Sequence, residues 1–274
     1  RTNVTIIDCN ISDFYRAVLF SNANYSFLQN STLNSSGNQN IWMEAVSNYN
    51  TFDNNIFLEG ASTIFYIENS SYNNITNNQM TNADPSFIAT SVGAHNNYIY
   101  NNNMAVGIIS LSGLGNNTIY QNNISFGTSY GVVTASTSNY NNITANTIFS
   151  AGSLGAVYLQ SSNNTVSSNQ LTNNTYDVYV TGNLVGNNII YNSVTNSTNG
   201  IYFANGNNNL VIHNNTLTNA SITILGDYIN ITNNTFLTNG GTGISISAGD
   251  NNSISGNNIS GCGTSGIKLY QPSI

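Results

Sequence analysis

Charge is what this chain has least of. Asp, Glu, Lys and Arg together make up 5% of its 274 residues. Only three are basic, Arg1, Arg16 and Lys268, and nothing basic lies between the last two. A protein that binds nucleic acid must neutralise phosphates, and one that docks on anionic lipid needs clustered cations, so neither partner fits. No apolar run approaches the length of a membrane span, which excludes insertion as a helix. The formal net charge of −7 comes from scattered Asp and Glu rather than from an acidic tail. Amphipathic runs with a 3.6-residue period are missing, and the density of Asn and Gly opposes helix. With only two cysteines, no disulfide framework can be built.

What is present is repetition. An asparagine returns about every 22–23 residues along the whole chain, and a period of this size signals an array. The column is Asn30, Asn55, Asn78, Asn102, Asn122, Asn146, Asn169, Asn192, Asn215, Asn234 and Asn257, with Cys9 in the first repeat. Three residues before each lies an apolar residue, from Ile6, Phe27 and Phe52 through Ile119 and Ile143 to Ile231 and Ile254. Two residues after lies another, from Ile11, Thr32 and Phe57 through Ile124 and Ile148 to Phe236 and Ile259; Thr32 is its one polar member. The unit reads N-x-x-I-x-x-N-x-I. A polar stretch follows, then a second apolar run such as Gly131-Val132-Val133, Gly200-Ile201-Tyr202-Phe203 or Gly243-Ile244-Ser245-Ile246. Short, β-branched, alternating segments between Asn/Gly/Ser clusters are strands and turns.

Each repeat therefore predicts three short strands and three turns, too little to bury its own apolar side. Stacked coils bury it, adding about 4.8 Å each, so about twelve coils make a rod roughly 55–60 Å long. Amides on successive coils can bond to one another in a ladder inside a turn. The expected fold is all-β, a single parallel β-helix domain over residues 1–274.

The repeat resembles the right-handed parallel β-helix family, in its Asn-rich NosD-like and surface-protein form, over about residues 3–270. The resemblance implies right-handed coils, in keeping with the crossover rule. It implies little about function, because the same coil carries lyases, hydrolases, adhesins and structural proteins. Lyases of this fold generally use a basic residue beside clustered acids, and the middle of this chain has no Arg or Lys. Hydrolases use neighbouring carboxylates. The one local concentration is Glu44, Asp53, Glu59 and Glu68, with Glu44 and Glu68 expected in corresponding strands of adjacent coils; a solvated acidic edge is the competing reading. His95 and His213 lie about five coils apart and form no metal cluster with the cysteines. No cofactor is called for.

Sequons N-x-S/T are dense: Asn3, Asn10, Asn24, Asn34, Asn69, Asn74, Asn116, Asn123, Asn142, Asn163, Asn173, Asn196, Asn219, Asn230, Asn251 and Asn258 are expected to carry N-glycans in an exported, extracellular protein. Chance produces many sequons at this Asn content, and that reading stands beside the first. Asn30 also heads a sequon, but as a ladder residue it is expected to be bare. Cys9 and Cys262 sit in the first and last coils, beyond disulfide reach within one rod. They are either two unpaired thiols or a link between copies stacked end to end. The 17 Tyr are corner packing or a sugar-stacking face, Tyr25, Tyr49, Tyr72, Tyr140 and Tyr228 falling near coil starts. Trp42 is expected in the core. The chain enters its first repeat almost at once, as expected of a processed chain or an excerpt, and no polar cap is recognisable at either end. The function expected is structural and non-catalytic, a subunit joined end to end to further copies. A carbohydrate-binding adhesin, or a hydrolase using Glu44 and Glu68, are the alternatives.

Overall fold

The computed structural model describes residues 2–34, 37–59, 63–81, 86–105, 107–125, 130–149, 155–206, 209–237 and 239–270. Among them lie 36 strands, and every third strand pairs, always in parallel, to give three sheets of twelve strands each. The first sheet runs from Thr5–Ile7 to Ser253–Ser255, the second from Asn10–Ser12 to Asn258–Ile259, and the third from Arg16–Ser21 to Ser265–Leu269. The protein is an all-β, right-handed parallel β-solenoid. No described helix is long and apolar enough to cross a membrane.

Single residues in the left-handed backbone region make many of the corners. Between the first two sheets these include Asn54, Asn77, Asn101, Asn214 and Asn233, with φ between 51° and 56°. Asn tolerates this conformation better than most other non-glycine residues, which is one source of the Asn enrichment. The residue after each of these turns inward and is another source. Asn122 donates from its backbone N (2.9 Å) and from Nδ2 (3.0 Å) to Oδ1 of Asn146, and from Nδ2 to the Ile99 carbonyl (2.9 Å). Asn146 repeats this set on Asn169 and the Ile119 carbonyl. Side-chain to side-chain bonds link Asn55 to Asn78 and continue coil by coil as far as Asn234 and Asn257. Each buried amide thus satisfies its own hydrogen-bonding groups while closing a turn that would otherwise orphan a backbone N–H.

A second ladder fills the corner between the third and first sheets, five residues upstream of the first. Asn50, Asn73, Asn97, Asn117, Asn141, Asn164 and Asn187 are all buried, and the backbone N of each of the first six donates to Oδ1 of the next. Leu210 and Ile229 interrupt the column with buried aliphatic side chains, and Asn252 resumes it by accepting from the Ile229 N–H. Between the ladders the interior holds flat columns of Ile, Leu, Val, Met and Phe, with Phe52 and Phe57 each packed edge-to-face on Phe65.

The second coil corrects the sequence register by one residue. Leu28 and Leu33 occupy the two apolar columns, pairing with Ile6 and Phe52 and with Ile11 and Phe57. The ladder residue is therefore Ser31, which donates its N–H to Asn55 Oδ1 and accepts from Cys9 N through its hydroxyl. Asn30 is displaced to the exposed left-handed corner, φ 50°, and Phe27 and Thr32 turn outward. Residue type had suggested Asn30; the spacing of the apolar pair decides otherwise, because burying Leu28 and Leu33 outweighs one amide contact. Trp42 is likewise not in the core. It stands on the outer face of the third sheet with the Arg16 guanidinium 3.3 Å from its ring centroid.

Candidate functional site

The acids grouped by sequence are separated by the fold. Asp53 ends a strand of the first sheet, Glu59 one of the second, and Glu44 one of the third. Asp53 is engaged by its neighbours: Thr76 Oγ1 and Asn77 Nδ2 donate to Oδ1 at 2.9 and 2.6 Å. Glu44 and Glu68 follow paired residues of adjacent strands, Met43 and Ile67, so they stand one strand spacing apart, about 4.8 Å, at the exit of the third sheet. Both are half-buried. Three surface depressions, of about 390, 320 and 310 Å³, are lined by amides and hydroxyls at two corners and by apolar residues of the first coil, and by no carboxylate. Asp84 and the side chain of Glu59 lie outside the described residues.

One acid behaves differently. Asp177 is completely buried, in an inward column of the third sheet occupied by Ala156 below and Gly200 above. Asn174 Nδ2 donates to its Oδ1 at 2.7 Å, while Oδ2 is buried without a hydrogen-bond partner among the described residues. Loss of hydration pushes its carboxyl up to about 8, and the neighbouring Ser197 and Asn174 offset this only in part. The group is therefore held mainly in its neutral form at neutral pH.

The tyrosines gather into ladders. At the corner between the third and first sheets, Tyr25, Tyr49 and Tyr72 stack with centroids 5.0 Å apart and planes 3° and 8° from parallel, and His95 closes the row edge-on. On the outer face of the third sheet, Tyr130, Tyr158 and Tyr179 stack at 5.0 Å, joined by Tyr176 and Tyr202. Tyr98, Tyr100 and Tyr120 form a third group on the first sheet. Burial, with neighbouring tyrosines adding to it, raises the phenols of Tyr98, Tyr130 and Tyr179 above the ordinary value. Stacking has a chemical consequence. Rings that cover one another's faces along a ladder leave edges and hydroxyls outward, so little ring face remains to stack on a sugar.

His95 Nδ1 lies 2.8 Å from Ser71 Oγ and 2.9 Å from the Gly93 carbonyl, and His213 Nδ1 lies 2.8 Å from Thr232 Oγ1. Among the described residues no three His, Cys, Asp or Glu side chains are grouped so as to hold a metal ion. Cys9 and Cys262 are free and half-buried. They lie in different columns: Cys9 heads the ladder that ends in Asn257, whereas Cys262 pairs with Asn239 at another corner. In a coaxial stack that continued the columns, Cys9 would meet Asn257, and a disulfide between copies would require a rotated stack.

All the sequon asparagines expected to carry glycans lie outward. Asn24, Asn34 and Asn163 are half-buried and the remainder exposed. The coil enforces this sorting. Two residues after every ladder asparagine lies an inward apolar residue, so a ladder asparagine cannot head a sequon. Asn30, freed from the ladder, is exposed as well.

A family model described as the right handed beta helix region matches residues 1–104 and 178–274. The chain belongs to the right-handed β-helix family. A second model, the periplasmic copper-binding protein NosD, matches residues 89–199; among the described residues the two histidines and two cysteines are spread over separate coils and corners. No curated protein sequence matches it. Among solved structures, PfbA, a surface adhesin of Streptococcus pneumoniae, is similar over 97% of this chain and 84% of its own, at 12% identity and a TM-score of 0.65. A PL6 alginate lyase in complex with a trisaccharide is similar over 98% and 79%, at 10% identity and a TM-score of 0.63. The A-module of an Azotobacter vinelandii mannuronan C-5 epimerase is similar over 98% and 79%, at 15% identity and a TM-score of 0.57. At such identities the likeness is one of fold, which adhesins and polysaccharide-acting enzymes share.

Proposed function

We propose that this β-helix is a non-catalytic structural rod of the cell exterior, N-glycosylated on its outward asparagines and joined end to end with further copies. The observation that carries this reading is the division of labour in the coil. Its interior is filled by amide ladders and apolar columns, while its outer surface is a nearly uncharged array of amides, hydroxyls and sequons. Glycans would supply the hydration that so few charges do not. End-to-end assembly has support in the terminal coils. Val4, Ile6, Val18 and Phe20 line an apolar depression at one end, and Ile267 and Leu269 are exposed at the other. A further coil, from the same chain's continuation or from a second copy, would cover either edge.

Electron microscopy of the native material, with intact-mass and glycopeptide analysis, tests the proposal. Fibres and excess mass are expected, with Asn30 among the modified sites. Dispersed particles of bare polypeptide mass would overturn it. Adjacent sequons are expected to compete, since Asn196, Asn219 and Asn173 stand on successive coils and Asn219 Nδ2 lies 3.4 Å from Asn196 Oδ1.

The hydrolase reading rests on Glu44 and Glu68. In the structural reading the double change Glu44→Gln, Glu68→Gln leaves the melting temperature within about 2 °C, as expected for partly exposed side chains. A polysaccharide-cleaving activity in the native chain that this double variant loses would reverse the assignment.

A further inference from the structure

The exposed stack of Tyr25, Tyr49 and Tyr72 is built for covalent coupling, and we propose that it is a site of oxidative dityrosine formation that staples adjacent coils. The inference stands apart from the function proposed above. The three residues occupy equivalent left-handed corner positions, φ 55°, 59° and 58°, and are 51%, 45% and 44% exposed. Their rings lie 5.0 Å apart and nearly parallel, which is the strand spacing of the sheet expressed in side chains. Two phenols fixed side by side and open to solvent need no encounter step. The corner also supplies its own comparison. Tyr140 and Tyr228 stand in the same column, φ 60° and 55°, and are 61% and 53% exposed. Their column neighbours are asparagines, Asn116 and Asn163 around Tyr140, and Asn251 after Tyr228. Exposure is shared along the column, whereas an adjacent ring belongs to Tyr25, Tyr49 and Tyr72 alone among these five.

The oxidant is a peroxide acting through a haem peroxidase. Each of two neighbouring phenols loses one electron and its hydroxyl proton, giving two phenoxyl radicals. The radicals join through ring carbons ortho to oxygen, Cε to Cε, and the two hydrogens on those carbons move to the oxygens through solvent to restore both phenols. The pair has then lost two hydrogens overall, and one hydrogen peroxide has become two waters. The new bond joins residues 24 or 23 positions apart, Tyr25 to Tyr49 or Tyr49 to Tyr72. It closes a loop of one coil and constrains the unfolded chain as a disulfide would.

The test treats the purified chain with horseradish peroxidase and hydrogen peroxide, then maps cross-linked peptides by mass spectrometry. Tyr25–Tyr49 and Tyr49–Tyr72 cross-links within one chain are expected, each lighter by two hydrogens, together with a raised denaturation midpoint. Tyr49→Phe is expected to abolish both, because Tyr25 and Tyr72 lie two coils apart. Asn116→Tyr places a ring one coil from Tyr140 and is expected to create a cross-link to Tyr140 that the parent lacks. If the oxidised chain carries no cross-link at these pairs, or couples Tyr140 and Tyr228 between molecules just as readily, the proposal is wrong. Failure of Asn116→Tyr to gain a cross-link in a chain that folds would also count against it.

Discussion

Replacing Asn146 by alanine is expected to cost about 3–5 kcal/mol of stability, whereas the same change at Asn123 is expected to cost less than about 0.5 kcal/mol. Both are asparagines at the same corner of adjacent coils, and the contrast comes from where their amides go. Asn146 Oδ1 is the acceptor for both the backbone N–H and the Nδ2 of Asn122, and its own Nδ2 satisfies the Ile119 carbonyl. Alanine leaves the buried Asn122 N–H without its acceptor, removes one partner of Asn122 Nδ2, which keeps the Ile99 carbonyl, and takes the side-chain donor from the Ile119 carbonyl; a buried group deprived of its partner carries a desolvation penalty of about 1–3 kcal/mol. Asn123 is exposed and makes one side-chain bond, from Nδ2 to Asn103 Oδ1 at 3.0 Å, which water replaces. In a solenoid each coil contacts only its neighbours, so the loss is local. Hydrogen exchange should speed up in the coils flanking residue 146 before it does so at either end. Urea denaturation of the two variants provides the measurement. Equal midpoints would mean that the ladder is a consequence of coil stacking rather than a contributor to it.

How much of this was legible in the sequence depends on what kind of periodicity each feature leaves. The coil was legible because three columns repeat in fixed phase, an asparagine with an apolar residue three before and two after. The second ladder left an equally regular trace in the Asn-Asn doublets, such as Asn116-Asn117 and Asn163-Asn164. The sequence motif takes the first member of each doublet; the second is the buried one, because it lies two residues before the inward isoleucine and shares its face. Asn30 shows the converse error, where residue identity overrode the spacing of Leu28 and Leu33. The positions of Tyr25, Tyr49 and Tyr72 were visible as a column, but whether stacked rings enter a corner or stand outside it depends on the backbone at that corner, which the left-handed residues set. The four acids between Glu44 and Glu68 are close in sequence and apart in space, because one coil carries its chain past three separate corners. Asp177 was passed over among the scattered acids. Its signal was positional: in the aligned third strands Ile64, Phe87 and Ile108 and then Gly131, Ala156, Gly200 and Gly243 hold its place, so one ionisable residue stands in a column of inward apolar and small ones.

That position gives the chain a pH dependence opposite in sense to that of a salt-bridged carboxylate. From about pH 4, the ordinary range of an aspartate, to about 8, where Asp177 titrates in the folded chain, the unfolded chain has released this proton and the folded chain has kept it. The unfolded state then binds fewer protons, so stability falls as pH rises, by about 1.4 kcal/mol per pH unit for this one group. The fall begins near pH 4 and levels off above about 8. Asp177→Asn keeps an oxygen to accept from Asn174 Nδ2 and removes the titration. The variant is therefore expected to match the parent near pH 4 and to exceed it by about 4 kcal/mol at pH 7, with the gap no longer widening above 8. Urea midpoints of both proteins at pH 4, 6, 7 and 9 measure the difference curve directly. A difference that stays constant across this range would mean that the carboxyl ionises normally in the fold, and that water reaches Oδ2. If the difference grows toward alkaline pH, Asp177 costs the folded rod stability at neutral pH, and the acid form is the one the solenoid accommodates.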